Sequence, residues 1–252
     1  MMPSTKLIMF DLDGTLAESK QPLEGEMATL LARLMENMRV AVISGGALPQ
    51  FLTQIVAELP RGANLSNLYL LPTSGAALYE YNNGELKKVY EERLSEKEAQ
   101  MIETAMRDAA AATGLIDFSK PAYGERIEYR GAQVTLSALG QKAPIDEKKA
   151  WDPTYAKRYA LRAKIAEQLP ASEFSVSMGG GTSIDVTKYG IDKAYGIRKL
   201  CERIGILESE ALFVGDQLQS GGNDEAVYKT DVQVRAVANP QDTMKIIATS
   251  LL

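Results

Sequence analysis

Two aspartates one residue apart, Asp11 and Asp13, close the apolar run Leu7-Ile8-Met9-Phe10 and are followed by Gly14-Thr15. A buried parallel strand reads as such a run, and the C-terminal edge of parallel strands is where open α/β sheets place their ligand crevice. Side chains two apart on an extended segment point the same way, so both carboxylates can converge on one centre. There one can attack while its partner moves a proton. Gly14 lets the backbone turn close to a ligand. A strand that simply ends in an Asp-Gly turn would use the same residues.

Three later segments carry chemistry of matching kind. Val40-Ala41-Val42-Ile43 is a strand-like run that ends in Ser44-Gly45-Gly46. Gly190-Ile191-Asp192-Lys193 puts a lysine near a helix start, where the dipole disfavours it unless an anion is its partner. Leu212-Phe213-Val214-Gly215-Asp216 is another strand that ends in an acid, with Gly221-Gly222-Asn223-Asp224 downstream. Each has a plain alternative: Ser44 as a helix cap, Lys193 as a surface charge, the glycine pair as a turn.

In this order, the four segments resemble the motifs of haloacid dehalogenase (HAD) superfamily phosphotransferases, and the resemblance spans nearly the whole chain. It implies that Asp11 attacks phosphorus to form an aspartyl-phosphate and that Asp13 serves as general acid and base. It implies Mg²⁺ as cofactor, a cation that takes hard oxygen ligands and offsets the repulsion between carboxylates and phosphate. Its ligands would be the Asp11 carboxylate, the Asp13 backbone carbonyl and Asp216. Asp224 would ligate directly or stand behind them with Asn223. Ser44 and Lys193, with Gly45 alongside, would hold the phosphoryl oxygens that are not transferred.

Composition narrows the field. With 252 residues, 45% hydrophobic and 24% charged, the chain can bury one large core or two modest ones. No apolar run is long enough to span a bilayer. Met1-Met2-Pro3-Ser4-Thr5-Lys6 leads straight into the first strand, leaving no room for a signal peptide. Cys201 is the only cysteine, so no intrachain disulfide forms, which suits a reducing cytoplasm. A net charge of −5 and a pI near 5.1 give no reason to expect nucleic acid as a partner. The sequence has no histidine, so acid–base and metal chemistry must rest on carboxylates, lysine and hydroxyls.

The elements that must hold these groups alternate strand and helix at the start of the chain. A strand at Lys6–Phe10, a helix around Glu24–Met38, a strand at Val40–Ile43, a helix over Leu48–Leu59 and a strand at Tyr69–Leu71 predict a doubly wound parallel sheet. Ala77–Tyr81 and Leu86–Tyr90 flank Asn83-Gly84 as a hairpin. Ser95-Glu96-Lys97-Glu98 is a capping box for a helix to Thr113, stopped by Gly114. Strands over Glu125–Arg130 and Gln133–Ala138 follow. Asp152-Pro153 reads as the N-cap and first residue of another helix, before strands near Phe174–Ser177 and Ser183–Val186. The α/β rhythm resumes at Asp192, with a helix to Arg203, strands at Ala211–Val214 and Val232–Arg235, and a helix after Pro240. The expected fold class is α/β, a HAD-like core with an inserted α+β cap: residues 1–88 and 189–252 form the core, 89–188 the cap.

The cap region is similar to that of eukaryotic-type phosphomannomutases, which carry the IIB (C2B) type of cap. The likeness rests on Ile127-Glu128-Tyr129-Arg130-Gly131, Leu136-Ser137-Ala138-Leu139-Gly140 and Gly179–Val186. That family moves phosphate between O1 and O6 of mannose or glucose phosphate, holds the distal phosphate with cap arginines, and dimerises through the cap. By this resemblance Arg130, Ser183 and Asp185 bind substrate, and a homodimer is implied. Gln141 stands where the family has an arginine, Lys148 near a second and Tyr123 at a third. Lys20 takes the place of an arginine after the first motif. Lys142, Lys148 or Arg126 would have to replace the missing charge. These departures favour a phosphatase acting on a small phosphorylated sugar. A phosphohexomutase of phosphomannomutase type is the alternative, and a non-catalytic sugar-phosphate-binding protein is the reading from another class.

Overall fold

A computed structural model describes residues 5–251. The leader-free start expected at Met1–Ser4 lies outside them. The chain divides into two compact units, one of residues 1–91, 192–220 and 224–252, the other of residues 92–191 and 221–223. The first joint falls three residues beyond the expected 88/89, where the hairpin keeps pairing as far as Ala77 with Glu91, and the second falls three residues beyond 188/189.

The first unit is a seven-stranded sheet flanked by helices. Its strands and helices in chain order are β1 (Leu7–Phe10), α1 (Gly25–Asn37), β2 (Arg39–Ile43), α2 (Leu48–Gln54), β3 (Leu68–Leu71), β4 (Ala77–Asn82) and β5 (Glu85–Glu91). The second unit contributes α3 (Glu96–Thr113), β6 (Ile127–Tyr129), β7 (Gln133–Ser137), α4 (Ile145–Trp151), α5 (Ala156–Ala166), β8 (Phe174–Met178) and β9 (Ser183–Lys188). The first unit then resumes with α6 (Lys193–Ile204), β10 (Ala211–Gly215), β11 (Gln233–Ala236) and α7 (Pro240–Ile246).

The first sheet has the order β11-β10-β1-β2-β3-β4-β5. Its first five strands pair in parallel, and β4 and β5 add an antiparallel hairpin. All four residues of β1 are buried, as expected of a strand covered on both faces. One face packs on α1, whose Met27, Leu30, Leu31, Leu34 and Met35 recur at helical spacing. The other face packs on α6 through Ile197, Leu200 and Cys201. The register sets Phe10 against both Val42 and Val214. Asp11, Ser44 and Asp216 therefore leave three adjacent strands at nearly one level of the C-terminal edge.

The second unit is an antiparallel sheet of order β6-β7-β9-β8. Val134, Leu136, Ile184 and Val186 pack it against Ile102, Met106 and Ala109 of α3 and Leu161 and Ile165 of α5. The capping box opens α3 as expected: Glu98 N–H donates to Ser95 Oγ at 3.2 Å, and Ser95 N–H to Glu98 Oε2 at 2.6 Å. Gly114, left-handed at φ 64°, ends it.

Two expectations fail. The helix expected over Leu48–Leu59 stops at Gln54, whose carbonyl instead accepts the Leu23 N–H at 2.9 Å; a 3₁₀ turn follows at Val56–Glu58. Asp152-Pro153 does not start a helix in N-cap and N1 positions. Asp152 ends α4, a helix the sequence reading missed, and α5 begins only after Tyr155. The Asp152 carboxylate still serves α5, accepting the Lys157 and Arg158 N–H groups at 3.0 and 3.1 Å, so side-chain capping acts across a longer turn.

Candidate active site

The C-terminal edge of β1 and β10 and the first residue of α6 converge on one buried charge cluster. Lys193 Nζ donates to Asp11 Oδ1 at 2.6 Å and to Asp224 Oδ1 at 2.5 Å. The three side chains are 2%, 1% and 0% exposed, so this lysine is no surface charge. Asp192 caps α6 by accepting the Tyr195 N–H at 3.0 Å, which fixes where Lys193 enters the cluster.

Asp216 completes the acids. Thr15 Oγ1 donates to its Oδ1 at 3.1 Å and Gln217 Nε2 to its Oδ2 at 2.9 Å. Gly14 sits at φ 91°, and a Cβ there would lie 2.5 Å from Asp216 Oδ2, so glycine is required for both conformation and space. Asp224 Oδ2 accepts the Gln217 N–H at 3.1 Å.

Burial raises the Asp11 carboxyl well above the ordinary carboxylate range; Lys193 pulls it down, while Asp224 and Asp216 push it further up. Burial also raises Asp216. For Lys193, burial works against the charge, but Asp11 and Asp224 outweigh it and hold the ammonium above its usual range.

Asp11, Asp216 and Asp224 bring one oxygen each within 4.8 Å of one another. Asp11 Oδ2 is buried with no hydrogen-bond partner among the described residues. A buried orphan oxygen is costly, and among the described residues Lys193 is the cation that acts on all three acids. Hard carboxylate oxygens of this number suit a divalent cation. The residues therefore fit the metal that the motifs imply.

Asp13 lies at the rim. Lys20 N–H donates to its Oδ1 at 2.8 Å, from a backbone at φ 58°, and Gln50 Nε2 donates to its Oδ2 at 3.3 Å. Ser44 is buried beyond β2 and its Oγ accepts the Gly46 N–H at 3.4 Å; Ala47, not Ser44, is the N-cap of α2. Gly45 follows in the same turn. Asn223 groups with the second unit, its side-chain oxygen buried without a partner among the described residues.

The other expected substrate residues lie in the second unit. Arg130 donates through Nε and Nη2 to Glu128 Oε2 at 2.9 and 2.7 Å, and through Nη2 to Gln141 Oε1 at 3.1 Å. Asp185 is buried on β9, where Thr135 Oγ1 donates to it at 2.7 Å, with Gln133 Nε2 donating in turn to Thr135 at 2.8 Å. Ser183 lies two residues before it on the same strand face, and Lys148 sits on α4. Arg126 donates to the Ala138, Lys120 and Pro121 carbonyls at 3.0–3.2 Å. Tyr123 donates its hydroxyl to Glu147 at 2.6 Å. Sequence reasoning missed Gln50 and Gln217. A glutamine on a helix or in a turn carries no pattern that would mark either.

Residues 27–252 match the family model described as eukaryotic phosphomannomutase. The chain is similar to the phosphomannomutase of Saccharomyces cerevisiae, 27% identical over 248 residues, covering 96% of this chain and 92% of the relative. The phosphomannomutase of Triticum aestivum is 28% identical over 251 residues, covering 95% and 92%. Among solved structures, the IMP-bound, N-terminally truncated IMP-nucleotidase of Plasmodium falciparum superposes with a TM-score of 0.70 at 16% identity, over 97% of this chain and 68% of that one. That likeness shows the fold alone. With the buried acids and lysine at the expected sheet edge, and a family match that runs through both units, the chain belongs to the eukaryotic phosphomannomutase family of HAD-superfamily phosphoryl-transfer enzymes.

Proposed function

We propose that the protein is a Mg²⁺-dependent phosphohexomutase of phosphomannomutase type, moving a phosphoryl group between O1 and O6 of mannose or glucose phosphate. The observation that carries the reading is the family match over residues 27–252, cap as well as core. It reverses the order that the departures at the family's arginine positions suggest by themselves, which put hydrolysis first.

The site geometry supports the chemistry in the following way. An Asp11 oxygen forms a bond to phosphorus while the bond to the leaving sugar oxygen breaks. That oxygen keeps the electron pair and takes the proton from Asp13. In the return step an incoming hydroxyl gives its proton to Asp13, its oxygen bonds to phosphorus, and Asp11 leaves as a carboxylate. Lys193, fixed by Asp224, neutralises charge beside Asp11, and Ser44 offers its hydroxyl to phosphoryl oxygens. Mg²⁺ would be held by Asp11, Asp216 and the Asp13 carbonyl, with Asp224 at the same cluster, and would supply neutralisation of the phosphate charge.

Hydrolysis by water is the second reading, and one observation favours it. Gln141, at a family arginine position, brings no charge to the cap and already accepts from Arg130, itself paired with Glu128. The deciding assay uses mannose 1-phosphate with glucose 1,6-bisphosphate. Formation of mannose 6-phosphate without net phosphate release supports the mutase; stoichiometric phosphate release with no isomerisation overturns it in favour of the phosphatase. Neither product, with Mg²⁺ present, would leave a sugar-phosphate-binding protein.

A further inference from the structure

Asp13 is gripped from two sides by groups that lie outside the four motifs. Lys20 adopts the left-handed conformation, uncommon for a residue with a side chain, and so aims its N–H at Oδ1. The Gln50 amide comes from the first turn of α2 and donates to Oδ2. Room for that amide depends on Gly46, four residues earlier. A Cβ there would lie 2.8 Å from Gln50 Cδ. The second-motif turn is thereby tied to the first-motif carboxylate through one neutral side chain.

A carboxylate that must first donate and later accept a proton has to present the same oxygen both times, at hydrogen-bond reach of the reacting oxygen. Its terminal torsion is soft, and a single donor fixes one oxygen but not the rotation of the plane. Donors on both oxygens fix the plane. The Gln50 amide adds no net charge; its N–H favours the Asp13 carboxylate over the acid, but without the full Coulomb attraction that a cation would exert.

We propose that Gln50 is a positioning residue for the acid–base step, acting through Asp13. The inference rests on the phosphoryl-transfer reading above, with Asp13 as the proton donor and acceptor.

The test uses the full chain with Mg²⁺ and compares wild type with Gln50→Met, of similar length but with no donor. Two substrates separate the roles. A sugar leaving group needs protonation, whereas p-nitrophenolate leaves without it. With hexose phosphate, Gln50→Met should lower kcat by about tenfold at unchanged KM, a fraction of the ~10²–10⁴ that general acid–base catalysis supplies. The burst of p-nitrophenolate that accompanies phosphorylation of Asp11 should be unchanged. A kcat equal to wild type on hexose phosphate would overturn the proposal. So would an equal loss on both substrates, which would mean that the second-motif turn has shifted, or a change confined to KM, which would make Gln50 a substrate contact. A wild type that transfers phosphate from neither substrate would overturn the phosphoryl-transfer reading and this inference with it.

Discussion

At Asp11, burial and charge pull in opposite directions, and the balance has a measurable pH signature. Its carboxyl is raised first by burial, against the attraction of Lys193. Between the unfolded value and the raised native one, the native state binds more protons than the unfolded chain, so stability falls with rising pH. The contribution is intact below the unfolded value and lost as pH climbs through the native one. Asp11→Asn has no such loss. In EDTA, the Tm of Asp11→Asn relative to wild type should therefore climb as pH rises from about 4 through the carboxylate range. Mg²⁺ should narrow the gap by binding native wild type, and turnover should be abolished throughout. Calorimetry across pH, with and without metal, checks this; a gap that stays flat in EDTA would sink it. Lys193→Met removes the cation that pairs with both Asp11 and Asp224, and breaking such a pair costs about 3–5 kcal/mol. Urea denaturation at neutral pH should read that loss. Both residues were legible in the sequence because strand endings and a helix start with an ill-placed lysine mark them. Lys20 reads in the sequence as a substrate contact, but not for the backbone N–H it gives Asp13, and Gln50 reaches Asp13 through a helix register that only the fold reveals.

Helix α6 brings Lys193 to the site, and it meets the turn after β3 glycine on glycine. A Cβ on Gly196 would lie 2.7 Å from the Gly75 Cα. Alanine would otherwise favour the helix by ~1 kcal/mol, yet the neighbour is backbone and cannot swing aside. Gly196→Ala should instead destabilise the protein by about 1–3 kcal/mol, as overpacking does, and lower activity by displacing the first turn of α6. Equal or greater stability by denaturation would show that the contact relaxes freely. In the second unit, Arg158 donates to Asp152 at 3.0 Å and to the Gly180 carbonyl at 3.1 Å, tying α5 to the turn before Ser183 and Asp185. Burial opposes the Asp152 charge, but the Lys157 and Arg158 donors outweigh it and hold the carboxyl below the usual range. That contribution is present above the unfolded value and disappears as pH falls through the native one. Periodic and capped elements such as α1 and α3 were readable in advance. Helix α4 was not, because the charged residues of Ile145-Asp146-Glu147-Lys148-Lys149 hide any apolar period.

For the molecule as a whole, the sequence revealed two units because the strand–helix rhythm breaks after the Asn83-Gly84 hairpin and resumes at Asp192. It did not reveal that residues 221–223 leave the first unit, since three turn residues carry no periodicity. It also weighed hydrolysis above transfer on the strength of single positions in the cap, whereas the family match spans residues 27–252. The question that remains at this scale is where the phosphoryl group goes, and Gln141 is the position to ask it. Gln141 Oε1 now accepts from Arg130 Nη2. Gln141→Arg exchanges that acceptor for a second guanidinium, which favours the site only when an anion sits between the two. A charge-assisted contact of this kind is worth about 1.5–3 kcal/mol, or about one to two decades in affinity. Binding of glucose 1,6-bisphosphate should tighten by that factor in Gln141→Arg. Hydrolysis of a hexose monophosphate, whose one phosphate can occupy the core at Asp11, should change less. If the wild type already binds the bisphosphate tightly and isomerises efficiently, and the variant gains nothing, another basic group of the cap does the holding. Lys148 is then the residue to remove, and its loss should weaken bisphosphate binding by the same one to two decades.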